Sequence, residues 1–131
     1  MFDHISLGVS DLERATAFYD AVLAPLGYSR KCSLPRASLY GPPGTLPEEP
    51  FGIVLGGAAA HAPGSGFHLA FSAPSREAVD RFHAAAVLAG GLDEGGPGIR
   101  VNYGPGYYAA FVRDPDGYRL EAVLHEDVTP A

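Results

Sequence analysis

The sequence has little cysteine and few clustered basic residues. The first shortage excludes an internal disulfide, and the second argues against a nucleic-acid-binding surface. Its one cysteine, Cys32, has no partner for an internal disulfide, so a reducing, cytoplasmic location is the simplest expectation. The 9 lysines and arginines are scattered along a chain of net charge −6, and only Arg30 and Lys31 are adjacent. A nucleic-acid-binding surface needs such residues to cluster, so we expect no nucleic-acid partner.

Long hydrophobic runs are also missing. No apolar stretch is long enough to cross a bilayer, and the N-terminus has no charged-then-apolar signal pattern, so we expect no membrane partner. What is present is a hydrophobic fraction of 47% over 131 residues, enough for one domain with its own core. The 17 glycines and 12 prolines predict many turns between short strands.

A strand and a helix open the chain. Residues 2–9 alternate between apolar and small or polar side chains, which predicts a strand with one buried face. Apolar residues then recur at helical spacing over residues 12–26, and Ser10 with Glu13 predicts a capping box at the start of this helix. Further strands are predicted within residues 28–40, on either side of Pro35, and over residues 51–55.

The same order returns 64 residues later. A shift of that length aligns His4 with His68 without a gap, and the strand predicted over residues 67–72 again alternates. Ser75 predicts the start of the second helix. This internal repeat predicts that both halves have the same architecture. The further identical pairs are Glu13 with Glu77, Phe18 with Phe82, Ala21 with Ala85 and Gly27 with Gly91.

The second half continues with three predicted strands, near residues 99–103, 107–112 and 119–125. The glycine-rich segment 90–98 lacks the order of a phosphate-binding loop and is interpreted as a connection. The run Asp-Pro-Asp-Gly at residues 114–117 predicts a tight turn between the last two strands. Each half then has the order βαβββ, which predicts an α+β fold.

Glu121 follows that turn, inside a strand whose neighbours are apolar. An unpaired buried carboxylate is too costly to keep, so Glu121 needs a partner. The sequence offers His4 and His68, or an arginine such as Arg113 or Arg119.

Together these features resemble the vicinal-oxygen-chelate superfamily, which includes glyoxalase I, extradiol dioxygenases, and fosfomycin- and bleomycin-resistance proteins. The resemblance rests on the strand from His4 to Val9 with its helix, the turn at residues 114–117 and Glu121, and it spans nearly the whole chain. It implies a single glyoxalase-like domain of two tandem βαβββ modules that form a cup-shaped mixed sheet with helices on its outer face. The modules would span about 1–56 and 67–126, with a linker at about 57–66.

The resemblance also implies one divalent metal ion (zinc, nickel, manganese, iron or cobalt) bound by His4, His68 and Glu121. Two imidazoles and one carboxylate suit such ions and leave coordination positions open for substrate oxygens. The alternatives are a solvated or hydrogen-bonded His4 and a Glu121 paired with arginine. No catalytic residue is assigned. The residues expected to line the substrate pocket, with purely structural roles as the alternative, are Ser6, Asn102, Tyr107, Phe111 and Arg119.

Two departures from the family pattern narrow the expected chemistry. Glyoxalase I has a further glutamate on the last strand of its first module, whereas residues 52–56 have no carboxylate. Extradiol dioxygenases carry a histidine and a tyrosine where this chain has Asn102 and Phe111, and neither replacement can perform the same proton transfer. Ring-cleaving dioxygenase activity is therefore disfavoured.

The resemblance leaves two functions open. One is a metal-dependent enzyme that acts on a small oxygen-chelating substrate by lyase, isomerase or group-transfer chemistry. The other is a metal-free protein that sequesters a small molecule, as bleomycin-resistance members do. The intact set of two histidines and a glutamate favours the enzyme. The resemblance also implies a homodimer, in which modules of two copies complete the cups.

Overall fold

The computed structural model describes residues 1–44 and 48–128. The first module contains strand β1 (Ile5–Val9), helix α1 (Leu12–Leu23) and strands β2 (Ser29–Leu34), β3 (Ala37–Gly41) and β4 (Phe51–Leu55). The second module contains β5 (Leu69–Ser72), α2 (Arg76–Leu88), β6 (Leu92–Ile99), β7 (Tyr107–Arg113) and β8 (Arg119–His125). The predicted α+β fold of two tandem βαβββ modules is confirmed.

The strands form two four-stranded mixed sheets, in the orders β1-β4-β3-β2 and β5-β8-β7-β6. In each sheet the first strand pairs in parallel with the last strand of its module, and the other pairs are antiparallel. The first strands β1 and β5 are therefore the terminal strands of the two sheets. This position decides where the two repeated histidines lie.

The two helices begin with different capping residues. Ser75 caps α2 as predicted, because its hydroxyl oxygen accepts a hydrogen bond from a backbone amide of the first turn at 3.1 Å. Asp11 caps α1 in the same manner at 3.0 Å, so the capping box predicted for Ser10 and Glu13 was wrong. The Ser10 hydroxyl instead donates to Asp116, in the turn between β7 and β8.

The glycine-rich segment after α2 was predicted as a connection, and this was wrong. Residues 92–99 form β6, which pairs with β7 and has register irregularities between Asp93 and Gly95 and between Gly95 and Gly98. The strand predicted near residues 99–103 was also misplaced, since Val101–Tyr103 form a 3-10 turn. Glycine removes the apolar alternation by which a strand is recognised, so only the pairing with β7 reveals β6.

The two modules pack through their helices and aromatic side chains. Helices α1 and α2 contact each other, and one buried hydrophobic cluster includes residues of both. Phe51 of β4 meets Phe71 of β5 edge-on, with 5.3 Å between the ring centroids. Within the described residues, no helix is long and apolar enough to cross a membrane.

The turn after β7 ties the second module to the first. The Tyr19 hydroxyl of α1 donates to the buried Asp114 carboxylate at 2.5 Å. The Tyr118 hydroxyl donates to the Gly8 carbonyl of β1 at 2.7 Å. Gly117 adopts a φ of 92°, as the predicted tight turn requires. These contacts fix the start of β8, the strand that carries Glu121.

Candidate functional site

A cavity of about 500 Å³ lies on the second module. Its wall is built from β6, β7 and β8, from the 3-10 turn between β6 and β7, and from the segment before β5. The wall contains aromatic, acidic and basic side chains. Its main aromatic and titratable members are His68, Glu94, Tyr103, Tyr107, Phe111, Arg119 and Glu121.

Strand pairing explains why several of these side chains meet. Phe111 of β7 lies opposite Glu121 of β8 in the antiparallel ladder, and Ala70 of β5 lies opposite Glu121 in the parallel one. Alternate residues along a strand share a face, so Arg119 lies on the same face as Glu121. Strand pairing and alternation thus bring Phe111, Arg119 and Glu121 to one face of the sheet.

Glu121 is the buried acid of this site, with only 1% of its side chain exposed. Its Oε2 accepts a hydrogen bond from the Tyr107 hydroxyl, and its Oε1 lies 3.2 Å from Nε2 of His68. The His68 side chain is 54% exposed, so this side of the pair is open to the cavity. The expected need of Glu121 for a partner is thus met by a phenol and an imidazole.

Neither arginine considered as an alternative partner pairs with Glu121. The Nε of Arg113 donates to Glu94 on β6 instead. Arg119 is exposed and lines the cavity. Within residues 1–44 and 48–128 its guanidinium forms no ion pair or hydrogen bond.

Tyr107 is positioned by three contacts. Its ring packs edge-on against His125 at 5.0 Å between centroids and lies 5.2 Å from the ring of Tyr103. Its hydroxyl bonds Glu121. Burial, and then the hydrogen bond to Glu121 and its negative charge, raise the pKa of Tyr107 above the ordinary value of 10.0. Tyr107 therefore stays protonated at neutral pH and acts as a donor toward Glu121.

His4 lies apart from this pair. Its Nδ1 is 2.6 Å from the carboxylate of the neighbouring Asp3, and its side chain is 63% exposed. In the part of the chain that the structure describes, no group of three or more His, Cys, Asp or Glu side chains could hold a metal ion. A single chain thus brings together His68 and Glu121, two of the three expected ligands. The three-ligand set stays a prediction.

Of the five residues expected to line the pocket, three lie in the cavity wall and two do not. Tyr107, Phe111 and Arg119 line the cavity of the second module. Ser6 lies on β1 in the first module, where it is exposed, and Asn102 is exposed in the 3-10 turn that follows β6. Neither belongs to the cavity wall.

Two titratable residues of the wall were not predicted from the sequence. Glu94 lies on β6, in the segment that was interpreted as a connection, and Tyr103 closes the 3-10 turn between β6 and β7. The available signal was the aromatic spacing of Tyr103 and Tyr107, whose rings do meet. For Glu94 no sequence signal existed, because its strand has no apolar alternation.

The donors present meet part of what a first-row divalent ion requires. The imidazole nitrogen of His68 and the carboxylate oxygen of Glu121 are suitable ligands, and they face a cavity with room for further ones. Zinc sites of the catalytic kind use three protein ligands and an open position. The chemistry of the two donors therefore fits a metal site that needs one more protein ligand.

The structure is similar to several solved proteins. The glyoxalase/bleomycin resistance protein from Albidiferax ferrireducens T118 is 38% identical, with a TM-score of 0.78 over 94% of this chain and 97% of that one. The glyoxalase-related enzyme from Fulvimarina pelagi is 24% identical, with a TM-score of 0.69 over 94% and 86%. The fosfomycin resistance protein FosX from Listeria monocytogenes is 22% identical, with a TM-score of 0.65 over 94% and 91%. The last two share the fold.

The family assignment rests on nearly the full chain. Among curated proteins, none matches the sequence. The family model that does match spans residues 1–122 and therefore includes both histidines, the tight turn and Glu121. The chain belongs to the Glyoxalase/Bleomycin resistance protein/Dioxygenase superfamily.

Proposed function

We propose that this protein is a divalent-metal-dependent enzyme that acts on a small substrate with two chelating oxygens. The observation that carries the proposal is the contact between the buried Glu121 and the half-exposed His68 at the wall of an open cavity. A buried carboxylate is costly without compensation, and a divalent cation offers the largest local charge a site can use. When bound, the ion would supply Lewis-acid stabilisation of an enolate-like or alkoxide oxygen in a lyase, isomerase or group-transfer reaction.

Within this site Tyr107 is a positioning residue. Its hydroxyl holds Oε2 of Glu121, which leaves Oε1 directed at Nε2 of His68. Hydrogen-bonded partners behind a ligand fix its orientation and contribute to metal affinity. Because its pKa is raised, Tyr107 remains a donor across the neutral range.

The third ligand is assigned to His4 of a second copy, in a homodimer. β1 and β5 are the terminal strands of their sheets, and unpaired strand edges favour pairing with another chain. Each histidine directly precedes one of these strands. A twofold dimer in which β1 of one copy approaches β5 of the other would bring His4 beside His68.

Metal content tests the proposal. Untagged wild type, saturated with zinc and dialysed, should retain about one ion per chain, the stoichiometry of one three-ligand site. Glu121→Gln keeps the shape but removes the charge, and His4→Ala removes one donor, so both should lose most of the metal. His61→Ala is the control, because His61 is exposed and bonds a backbone carbonyl outside the cavity. Equal metal content in wild type and Glu121→Gln would overturn the proposal.

Co-expression of the two ligand variants tests whether the site is shared. A heterodimer of one His4→Ala chain and one Glu121→Gln chain would contain one complete site and one site lacking both groups. Zinc content should therefore recover to about half of the wild-type value in the heterodimer. If all three ligands come from one chain, no recovery is possible, and monomeric behaviour in light scattering would contradict the shared site independently.

The second candidate is a metal-free protein that sequesters a small molecule. The observation in its favour is that Tyr107 and His68 already supply partners for both carboxylate oxygens of Glu121. A wild-type protein with no measurable zinc affinity that still binds small molecules in the cavity would establish this function instead.

A further inference from the structure

Two arginines without a carboxylate partner lie in the cavity wall or next to one of its residues. The guanidinium of Arg100 lies over Phe111, with its Cζ 5.4 Å from the ring centroid. Arg119 lines the cavity from β8, the strand paired with that of Phe111. Within residues 1–44 and 48–128 neither arginine forms an ion pair, although the chain has 15 acidic residues.

The glycines of β6 hold Arg100 in this place. A Cβ atom on Gly95 would lie 3.2 Å from Nη2 of Arg100, and one on Gly98 would lie 3.0 Å from Nη1. Nη2 donates to the carbonyl of Gly96 at 2.5 Å. Side chains at these glycines would crowd the guanidinium, so the glycine-rich strand makes room for a cation next to Phe111.

The carboxylates of the cavity wall already have hydrogen-bond donors, whereas the arginine of the wall has no carboxylate partner among the described residues. The two carboxylates in the wall are Glu94 and Glu121. Glu94 accepts from Arg113, and Glu121 accepts from Tyr107 and meets His68. Arg119 lies in the wall itself, and Arg100 lies over the wall residue Phe111. An anion that enters the cavity therefore meets the guanidinium of Arg119 in the wall, with that of Arg100 next to the ring of Phe111.

We propose that the cavity binds a small aromatic carboxylate, with its carboxylate on Arg119 and Arg100 and its ring against Phe111 and Tyr103. This rests on the proposed function in using the same cavity, and it names the substrate class. The planar guanidinium of arginine pairs with carboxylates in a bidentate manner. The aromatic wall favours a flat apolar body, and a volume of about 500 Å³ is in the range of small-molecule sites.

Benzoate and benzamide are matched probes, because they share ring and size and differ in charge. Both are titrated into the full-length protein in EDTA, so that the measurement does not depend on a metal. Benzoate should bind at least about tenfold more tightly than benzamide, since hydrogen bonds to a charged group are worth more than neutral ones.

Two variants locate the effect. Arg119→Gln and Arg100→Gln should each reduce the preference for benzoate to roughly threefold or less, while affinity for benzamide changes little. Arg36→Gln makes the same change in net charge and is the control, because Arg36 bonds the Leu55 carbonyl in the first module. Because Arg119 is exposed, its variant should fold normally, which circular dichroism checks.

Equal affinity for the two probes in the wild type would overturn the proposal. So would an undiminished preference for benzoate in both the Arg119→Gln and the Arg100→Gln variant. The two proposals fail separately: a protein that prefers benzoate but retains no zinc lacks only the metal site, and one that retains zinc without this preference takes another substrate class.

Discussion

In the first module Ser6 of β1 lies opposite Gly52 of β4, and in the second module Ala70 of β5 lies opposite Glu121 of β8. The 64-residue repeat aligns Ser6 with Ala70, so Gly52 and Glu121 occupy equivalent positions. A Cβ atom on Gly52 would lie 2.8 Å from Cδ2 of Leu39. Glycine thus lets the side chain of Leu39 cover the place where the second module holds its carboxylate.

The two repeated histidines differ for the same reason. His68 meets Glu121, which lies on the neighbouring strand of its own sheet. His4 has Gly52 at the equivalent place and contacts Asp3 instead. The repeat therefore preserves the frame of both modules, whereas one position on the last strand decides which histidine has an acid partner.

The connections before the two last strands differ as well. In the second module the tight turn at residues 114–117 joins β7 and β8, and Asp114 accepts hydrogen bonds from the Tyr19 hydroxyl and from the amides of Asp116 and Tyr118. In the first module β3 and β4 are joined by residues 42–50, of which 45–47 lie outside the described residues. We therefore expect Asp114, in the turn of the second module, to contribute more to the free energy of unfolding than any single aspartate of the first module.

The largest predicted effect is that of Asp114→Ala. It leaves three donors around a buried site without an acceptor, so we expect a loss of about 3–4 kcal/mol in the free energy of unfolding by urea. Asp11→Ala in the first module removes one exposed capping bond and should cost about 1 kcal/mol. Similar losses of unfolding free energy in the two variants would contradict the expected difference between the modules.

The contribution of Asp114 to the free energy of unfolding should also depend on pH. Burial raises the pKa of the Asp114 carboxyl above its ordinary value of 3.8, although its hydrogen bonds with Tyr19 and two amides act in the opposite direction. A carboxyl whose pKa is raised in the folded state contributes stability that is fully present below the unfolded pKa and is lost as the pH rises through the folded one. The free energy of unfolding of the wild type minus that of Asp114→Asn should therefore be larger near about pH 4 than near about pH 7. A difference that grows toward neutral pH would contradict the assigned cause.

The smallest predicted effect is that of Gly52→Ala. Its new methyl group meets the flexible end of Leu39, which can turn aside, so we expect a loss below about 1 kcal/mol. Gly91→Ala in the second module would place a Cβ 2.7 Å from the Arg113 carbonyl and 2.9 Å from the Ala86 carbonyl. Backbone cannot move so easily, and we expect a loss of about 2 kcal/mol or more in the same urea measurement. A larger loss for Gly52→Ala than for Gly91→Ala would show that the first module has no space at the position equivalent to Glu121.

Much of the frame could be predicted because periodicity is a local property. The alternation at residues 2–9 and 67–72, the cap at Ser75 and the turn at residues 114–117 each depend on near neighbours in the chain. The same holds for Glu121, whose apolar neighbours already indicated a buried carboxylate in need of a partner. β6 could not be predicted, since its glycines carry no pattern and its pairing with β7 is a long-range contact.

The sequence by itself determined the order of elements, the internal repeat and the residue types from which a site can be built, because each follows from local spacing. Only the tertiary structure decided which strands become neighbours. It placed β1 and β5 at the ends of two sheets, so that His68 meets Glu121 while His4 lies apart from them. In the folded chain the Ser10 hydroxyl binds Asp116 and does not cap a helix, and the guanidinium of Arg100 lies over Phe111. The physical reason is that alternation fixes the face on which a side chain lies, whereas its neighbours on that face depend on pairing between distant segments.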